Sequence, residues 1–396
     1  MENTKISWTN HTFNHVRGCT KISPGCTNCY AEKGGKRNPA VLGIWGPNGT
    51  RVVASETQWS LPKKWDRWAK EGTCHECGGR KGKWVEGESP IDGPKPPRVW
   101  LPCQMCGGTG QAEGGAYRAR VFCASLADVF EDWQGLMVNS EGDDIRRCDP
   151  CDRTATQPVF VAEFSKGKTV DDCVCCGKPT RPMTMDDVRL RLFELIAATP
   201  RLDWMLLTKR PENIQPTLSR LPMRVDAWGV GGCTLWEMMT AHGCPIDNVW
   251  WGTTVENQAA TSRIGHLLKI PGSVHFLSCE PLLEGLDLRE HLRPHCPWGC
   301  GPVTDSLVCQ ECEWCGDDSH RINLAIVGGE SGPGARPFDL QWARDLRDQC
   351  KAADCAYFFK QTGENVAGLR VRGKGGELDD IPADLRIREM PKAVPA

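Results

Sequence analysis

A chain of 396 residues with 40% hydrophobic and 25% charged residues has the composition of a globular protein, long enough for one large α/β domain with insertions or for two or three ordinary domains. The formal charge of −2 excludes the global basic field of a dedicated nucleic-acid binder, though not a local basic groove. No apolar run is long enough to span a bilayer, and MENTKISWTN lacks the apolar core of a secretory leader, so a cytoplasmic location is expected.

In chain order, short apolar runs end in small or polar residues: 120–125 (RVFCAS), 203–208 (DWMLLT), 248–254 (NVWWGTT), 273–278 (SVHFLS), 323–328 (NLAIVG) and 356–360 (AYFFK). Continuous apolar runs of this length suit strands buried on both faces, as in parallel sheets. Helical spacing marks 185–199, with Thr184 and Asp186 as candidate caps, and 340–354, with Asp339 as N-cap. Strands alternating with helices predict βαβ units. Six strands, with room for another near the N-terminus, and no G-x-G-x-x-G after the first predict an α/β fold built on a partial parallel (β/α)6 barrel.

Every predicted strand stops in polar residues. These are Ser125 and Asp128; Thr208, Lys209 and Arg210; Thr254, Glu256 and Asn257; Ser278 and Glu280; Gly329, Glu330 and Ser331; and Lys360 and Gln361. Barrel enzymes assemble their sites from such strand ends. Any one of them would be read as a solvated loop start; six in a row point to a shared site. Gly328, Gly329 and Glu330 sit in a glycine-rich turn whose backbone N–H groups could receive a carboxylate, ribose or phosphate. Lys209, Arg210, Arg336 and Lys360 could supply positive charge to a phosphate.

Three Cys-, Gly- and Pro-rich segments interrupt this rhythm, dividing the chain into 1–70 (start of the barrel), 71–115 (insertion), 116–145 (barrel), 146–182 (insertion), 183–292 (barrel), 293–320 (insertion) and 321–396 (end of the barrel and tail). The 23 cysteines fall largely in C-x-x-C pairs, are odd in number and lack a secretory context, so they read as metal ligands rather than disulfides. Cys74, Cys77, Cys103 and Cys106 form two knuckles, each with a glycine after its second cysteine, and supply four thiolates for a structural zinc. The second insertion repeats this with Cys148, Cys151, Cys173 and Cys176, leaving Cys175 over or in place of Cys176. The third offers Cys296, Cys300, Cys312 and Cys315, with Cys309, His295 and His320 as alternatives.

Cys19, Cys26 and Cys29 are different, with three thiols in eleven residues and no evident fourth. They could hold three irons of a [4Fe–4S] cluster and leave the fourth open. The alternative is a zinc completed by His11 or His15. Cys123 and Cys279 lie in or at the end of predicted strands outside any knuckle; they are candidate hydrogen-atom donors or, more blandly, buried inert thiols.

The strings GCTKISPGCTNCYAE, VFCASLADVFED, LLTKRPENI, WWGTTVENQ, FLSCEPLL, IVGGESGPGARPFD and FFKQTGE, from about residue 8 to 364, resemble an uncharacterised phage and prophage gene-product family related to the radical S-adenosylmethionine (SAM) superfamily. Six residues separate Cys19 from Cys26 where that superfamily usually has three, and Tyr30 follows the last cysteine where an aromatic usually precedes it. The resemblance implies a partial barrel, a [4Fe–4S] cluster on Cys19, Cys26 and Cys29, and SAM on the open iron, cleaved to a 5′-deoxyadenosyl radical. It implies a reductant such as flavodoxin or ferredoxin and, if phage-encoded, the host cytoplasm. By position, Ser125, Asp128, Thr208, Lys209, Glu256, Asn257, Ser278 and Glu280 are the candidates to hold SAM or substrate. A nucleoside, DNA base or nucleic acid is the expected substrate class, with no membrane partner. The rival expectation is a non-enzymatic zinc protein that binds DNA or a protein, its 16 tryptophans available for base stacking.

Overall fold

Seven parallel strands in sequential order form one curled sheet, and they set the position of everything else. They are β1 (His11–Thr12), β2 (Ala119–Cys123), β3 (Leu202–Thr208), β4 (Val249–Thr254), β5 (Val274–Cys279), β6 (Ile322–Gly328) and β7 (Ala356–Gln361). Each pairs in parallel with the next, from His11 beside Val121 to Leu324 beside Ala356. The result is a half-barrel, with seven strands where six apolar runs are visible in sequence. The computed structural model describes residues 4–86, 98–149, 178, 180–222, 233–241, 246–293, 321–367, 371 and 373–391.

The strands are apolar throughout because both faces are covered. Alternate residues go to two separate cores, as the two-residue repeat of a strand requires. Phe122, Met205, Trp250, Phe276, Leu324, Ile326 and Phe358 pack together inside the curl, with Trp8 against Phe122 at a 4.6 Å ring separation. Gly252 is needed there, because a Cβ would lie 2.2 Å from the Phe276 ring. Their neighbours Val121, Cys123, Trp204, Leu206, Trp251, Leu277, Cys279, Val327 and Phe359 belong to the larger helix-side core.

The longer helices lie between the strands in sequence, and two of the four, those opening at Met185 and Leu340, are the ones expected from helical spacing. Tyr30–Arg37 (α1) and Glu56–Glu71 (α2) precede β2, Met185–Ala197 (α3) precedes β3, and Leu340–Ala352 (α4) precedes β7. Thr184 caps α3, its hydroxyl accepting from the Asp187 amide at 3.2 Å while the Asp187 carboxylate accepts from the Thr184 amide at 2.8 Å. Asp186 is not a cap; it pairs with Arg189 and Arg220. Asp339 caps α4 by accepting from the Gln341 amide at 2.8 Å. Among the described residues, no helix is long and apolar enough to cross a membrane.

Of the Cys-rich segments, the first is described around both knuckles and includes an antiparallel hairpin of Gly82–Glu86 with Arg98–Pro102. The second begins and ends on the antiparallel pair Arg146–Arg147 and Arg181–Pro182, with Cys148 buried beside it. Cys151, Cys173, Cys175 and Cys176 lie outside the described residues, as do His295, Cys296, Cys300, Cys309, Cys312, Cys315 and His320.

Candidate metal centres and the barrel-mouth cavity

The two knuckles of the first Cys-rich segment converge on one point. The Sγ atoms of Cys74, Cys77, Cys103 and Cys106 lie within 4.8 Å of one another, with 3.9 Å between Cys74 and Cys103 and 3.8 Å between Cys77 and Cys106. Four thiolates at ~2.3 Å around a tetrahedral zinc are separated by about 3.8 Å, whereas a disulfide would require about 2.05 Å. This group could therefore bind a metal such as zinc. Gly78, after Cys77, has φ +55°, and a Cβ there would lie 2.7 Å from Trp68 Cη2, so the knuckle can turn against α2 only with glycine. Burial pushes the Cys74 thiol up to about 12. Burial acts the same way on Cys106, but the Gly110 and Gly108 amides outweigh it and hold that thiol at about 6.

Cys19, Cys26 and Cys29 occupy a different place. The loop carrying them lies over the C-terminal ends of the strands, and all three line a cavity of about 260 Å³, where one bound water needs about 15 Å³. The wall opposite the loop includes Phe122, Leu207, Lys209, Thr254, Ser278 and Lys360. These are inward-facing positions of β2 to β5 and β7, which is why the strand ends meet there.

Three carboxylates moor the loop. Glu131 accepts from the Thr20 amide at 2.8 Å, Glu256 from the Gly25 amide at 3.3 Å, and Glu330 from the Asn28 side chain at 3.0 Å. Each is held from behind by an arginine: Arg51 on Glu131 at 2.7 Å, Arg263 on Glu256 at 2.7 Å and Arg336 on Glu330 at 2.6 Å. Burial works against ionisation of Glu330, but Arg336 and Asn28 prevail and hold its carboxyl down to about 2. Burial likewise opposes Glu256, which Lys209, Ser23 and Arg263 keep below its ordinary value. Beside the loop, Asp128 accepts from the Thr208 hydroxyl at 2.6 Å and from Arg210 at 2.8 Å. Burial, with Asp128 and Glu131 adding to it, pushes the Cys19 thiol up to about 12.

The three loop thiols do not form a compact single-ion set with one another or with a histidine among the described residues. His11 stacks on Trp65 at 4.3 Å, and His15 Nδ1 lies 3.6 Å from Cys123 Sγ. Burial, helped by His75 in one case and Arg189 in the other, pushes both imidazoles down to about 3. Neither histidine is grouped with the three loop thiols as a fourth ligand among the described residues.

Residues 3–138 and 181–384 match the family described as "Protein of unknown function (DUF5131)". The chain belongs to the DUF5131 family. No curated protein matches it, and no solved structure does. The DUF5131 match takes in the three loop cysteines, the four-cysteine site and every strand end around the cavity. Residues 139–180, which it omits, hold most of the second Cys-rich segment.

Within this DUF5131 chain, Ser125, Asp128, Thr208, Lys209, Ser278, Glu280, Gly329 and Glu330 line the cavity with the three cysteines. The remaining predicted residues stand elsewhere. Glu256 is fully buried beneath the loop. Asn257 is a helix cap, its side chain accepting from the Ala260 amide at 3.1 Å. At Gly328 a Cβ would lie 2.9 Å from Glu280 Oε1, so it makes room for that side chain. Cys123 and Cys279, the hydrogen-donor candidates, do not line the cavity: strand alternation sends Phe122 and Ser278 there and turns both thiols into the helix-side core, where neither is exposed. Sequence reasoning gave no role to Glu131, although it falls within the string VFCASLADVFED, or to Arg51, which opens the short strand Arg51–Val53.

Proposed function

We propose that this chain is a radical SAM-type enzyme in which Cys19, Cys26 and Cys29 hold a [4Fe–4S] cluster, SAM binds beside it, and hydrogen is abstracted from a substrate, a nucleoside or DNA base being the favoured class. The observation that carries this reading is that three thiols of one loop line the same cavity as the strand ends of a parallel half-barrel. The donor set fits the group, because a cubane takes one thiolate per iron corner and so spreads its ligands more widely than a single zinc does. Three thiolates leave one corner for an outside ligand. Such a cluster, when bound, supplies one-electron reduction to SAM.

The chain's own residues would bind and orient. Lys209, whose ammonium burial disfavours, and Lys360, paired with Glu280 at 2.9 Å, bring positive charge to an anionic group in the cavity. The Thr254 and Ser278 hydroxyls can hydrogen-bond a ribose or base edge. Ile22, Tyr30 and Trp45 add apolar surface to the cavity lining.

The test is anaerobic purification and reconstitution followed by iron, sulfide and zinc analysis. About four irons and about three zincs per chain are expected, with reductive production of 5′-deoxyadenosine from SAM. In Cys26→Ala the iron and the 5′-deoxyadenosine should vanish while the zinc stays. Zinc without iron in the wild type would overturn the proposal and leave a zinc protein that binds DNA or a protein partner.

A further inference from the structure

Arg210 stands next to Lys209 at the end of β3, and its guanidinium is fixed on several sides. Nη1 donates to Asp128 Oδ2 at 2.8 Å and Nη2 donates to the Thr20 carbonyl at 2.8 Å. Asp128 cannot swing away easily, because it also accepts from the Thr208 hydroxyl at 2.6 Å, the Phe130 amide at 3.0 Å and the Lys209 amide at 3.1 Å. From this clamp Nη1 reaches to 4.0 Å from Cys19 Sγ, the outer limit of an N–H···S contact. The other two thiols are treated differently. Cys26 Sγ meets the neutral Ser23 hydroxyl at 3.7 Å and feels the Lys209 ammonium through charge, without a hydrogen bond to it among the described residues. Among the described residues, Arg210 is the one cation within hydrogen-bonding reach of a loop thiol.

Resting on the cluster reading above, we infer that Arg210 is a positioning residue that fixes Cys19 and raises the reduction potential of the group the three thiols hold. A positive donor at a ligand sulfur stabilises the state that carries one more electron, and hydrogen bonds to the sulfurs are among the levers that set iron–sulfur potentials. The hydrogen-bonding lever acts through Cys19, while the Lys209 ammonium interacts with Cys26 through charge alone. Asp128 at 2.8 Å and Glu131 at 3.9 Å offset part of the guanidinium charge, so the two signs oppose each other at this corner.

That opposition provides the test. The full-length protein is reconstituted anaerobically, and its one-electron couple is titrated with dithionite while the reduced signal is followed by electron paramagnetic resonance. Arg210→Gln should shift the midpoint to more negative potential, with Arg210→Lys in between, and Asp128→Asn should shift it to more positive potential. Iron content should stay at the wild-type level in all three. A merely structural role would move both substitutions the same way, so shifts of equal sign, or none in iron-loaded variants, overturn the inference. If Arg210→Gln fails to take up iron, Asp128→Asn decides alone: a positive shift sustains the inference and anything else overturns it. A wild-type protein without iron refutes the cluster reading itself, and the inference falls with it.

Discussion

Replacing Glu131 with glutamine strands a guanidinium that has no access to water. Arg51 Nε and Nη2 lie 2.7 and 2.8 Å from the Glu131 carboxylate, and Trp133 covers the guanidinium at 3.7 Å. The two side chains are 0% and 3% exposed. Removing one member of such a pair costs about 3–5 kcal/mol, because the remaining charge is left uncompensated. The glutamine oxygen can still accept from the Thr20 amide, so the loss of that bond is not added. Arg51→Met should cost less, since Arg210 stands 3.9 Å from Glu131 and retains part of the compensation. The double variant Arg51→Met/Glu131→Met leaves neutral groups, the Thr20 amide and hydroxyl and the Thr50 carbonyl, without these partners and takes Glu131 from Arg210, at about 1–3 kcal/mol for each neutral group that stays buried. It should therefore be more stable than the sum of the single effects by about 2 kcal/mol or more. Urea denaturation of zinc-loaded protein at pH 7, followed by far-ultraviolet circular dichroism, measures all four states. Glu131→Gln within about 1 kcal/mol of the wild type, or strictly additive single effects, would refute the reasoning.

Other substitutions probe the remaining features. Gly78→Ala places a Cβ against Trp68 at positive φ, a strain of about 1–2 kcal/mol, and should weaken zinc retention roughly tenfold in a competition assay with a chromogenic chelator. Cys279→Ser buries a hydroxyl in the helix-side core and should lower stability by about 1–3 kcal/mol; iron content at the wild-type level is expected, and its loss would contradict the placement of that thiol away from the loop cysteines. Glu330 has an ordinary value of 4.5 lowered to about 2 in the fold, so its contribution to stability is complete above about 4.5 and is lost as the pH falls towards 2. Arg336→Gln removes the main source of that lowering, so acid unfolding should begin at higher pH than in the wild type; coincident acid profiles would contradict the assignment.

The barrel strands were legible because they are buried on both faces and therefore read as unbroken apolar runs. The run at residues 203–208 marks β3, and 356–360 marks β7, each within a residue at either end. β1 was not legible. It is two polar residues, His11 and Thr12, buried only because β2 and the Trp65 of α2 cover them. α2 was hidden for another reason, since Pro62 reads as a helix breaker yet sits inside it. For the site, strand ends told which residues approach the mouth but not which way each side chain turns. Parity alone separates Ser278 from Cys279 and Phe122 from Cys123, and it is fixed only once one face is known to line the curl. The acidic residues were recognisable as a group, but their work could not be read locally. Glu256 and Glu330 meet the loop across more than two hundred residues of sequence, and their arginines lie seven residues on in a short helix and six residues on in a glycine-rich turn, where nothing local says which acid each one meets.

Glu131, Glu256 and Glu330 follow the second, fourth and sixth strands of a sheet whose first and last strands do not meet. A single stretch of eleven residues is thereby fastened to alternate strands across the width of the open sheet, by contacts worth about 1.5–3 kcal/mol each when charge-assisted. The loop is therefore a cross-brace as well as a carrier of thiols. Whatever draws its three cysteines together would also draw the strand ends together, and whatever slackens the sheet would spread the cysteines. Curvature of the half-barrel and spacing of the thiols are one mechanical variable. Slowing of amide exchange at the ends of β2, β4 and β6 on metal loading would be its signature.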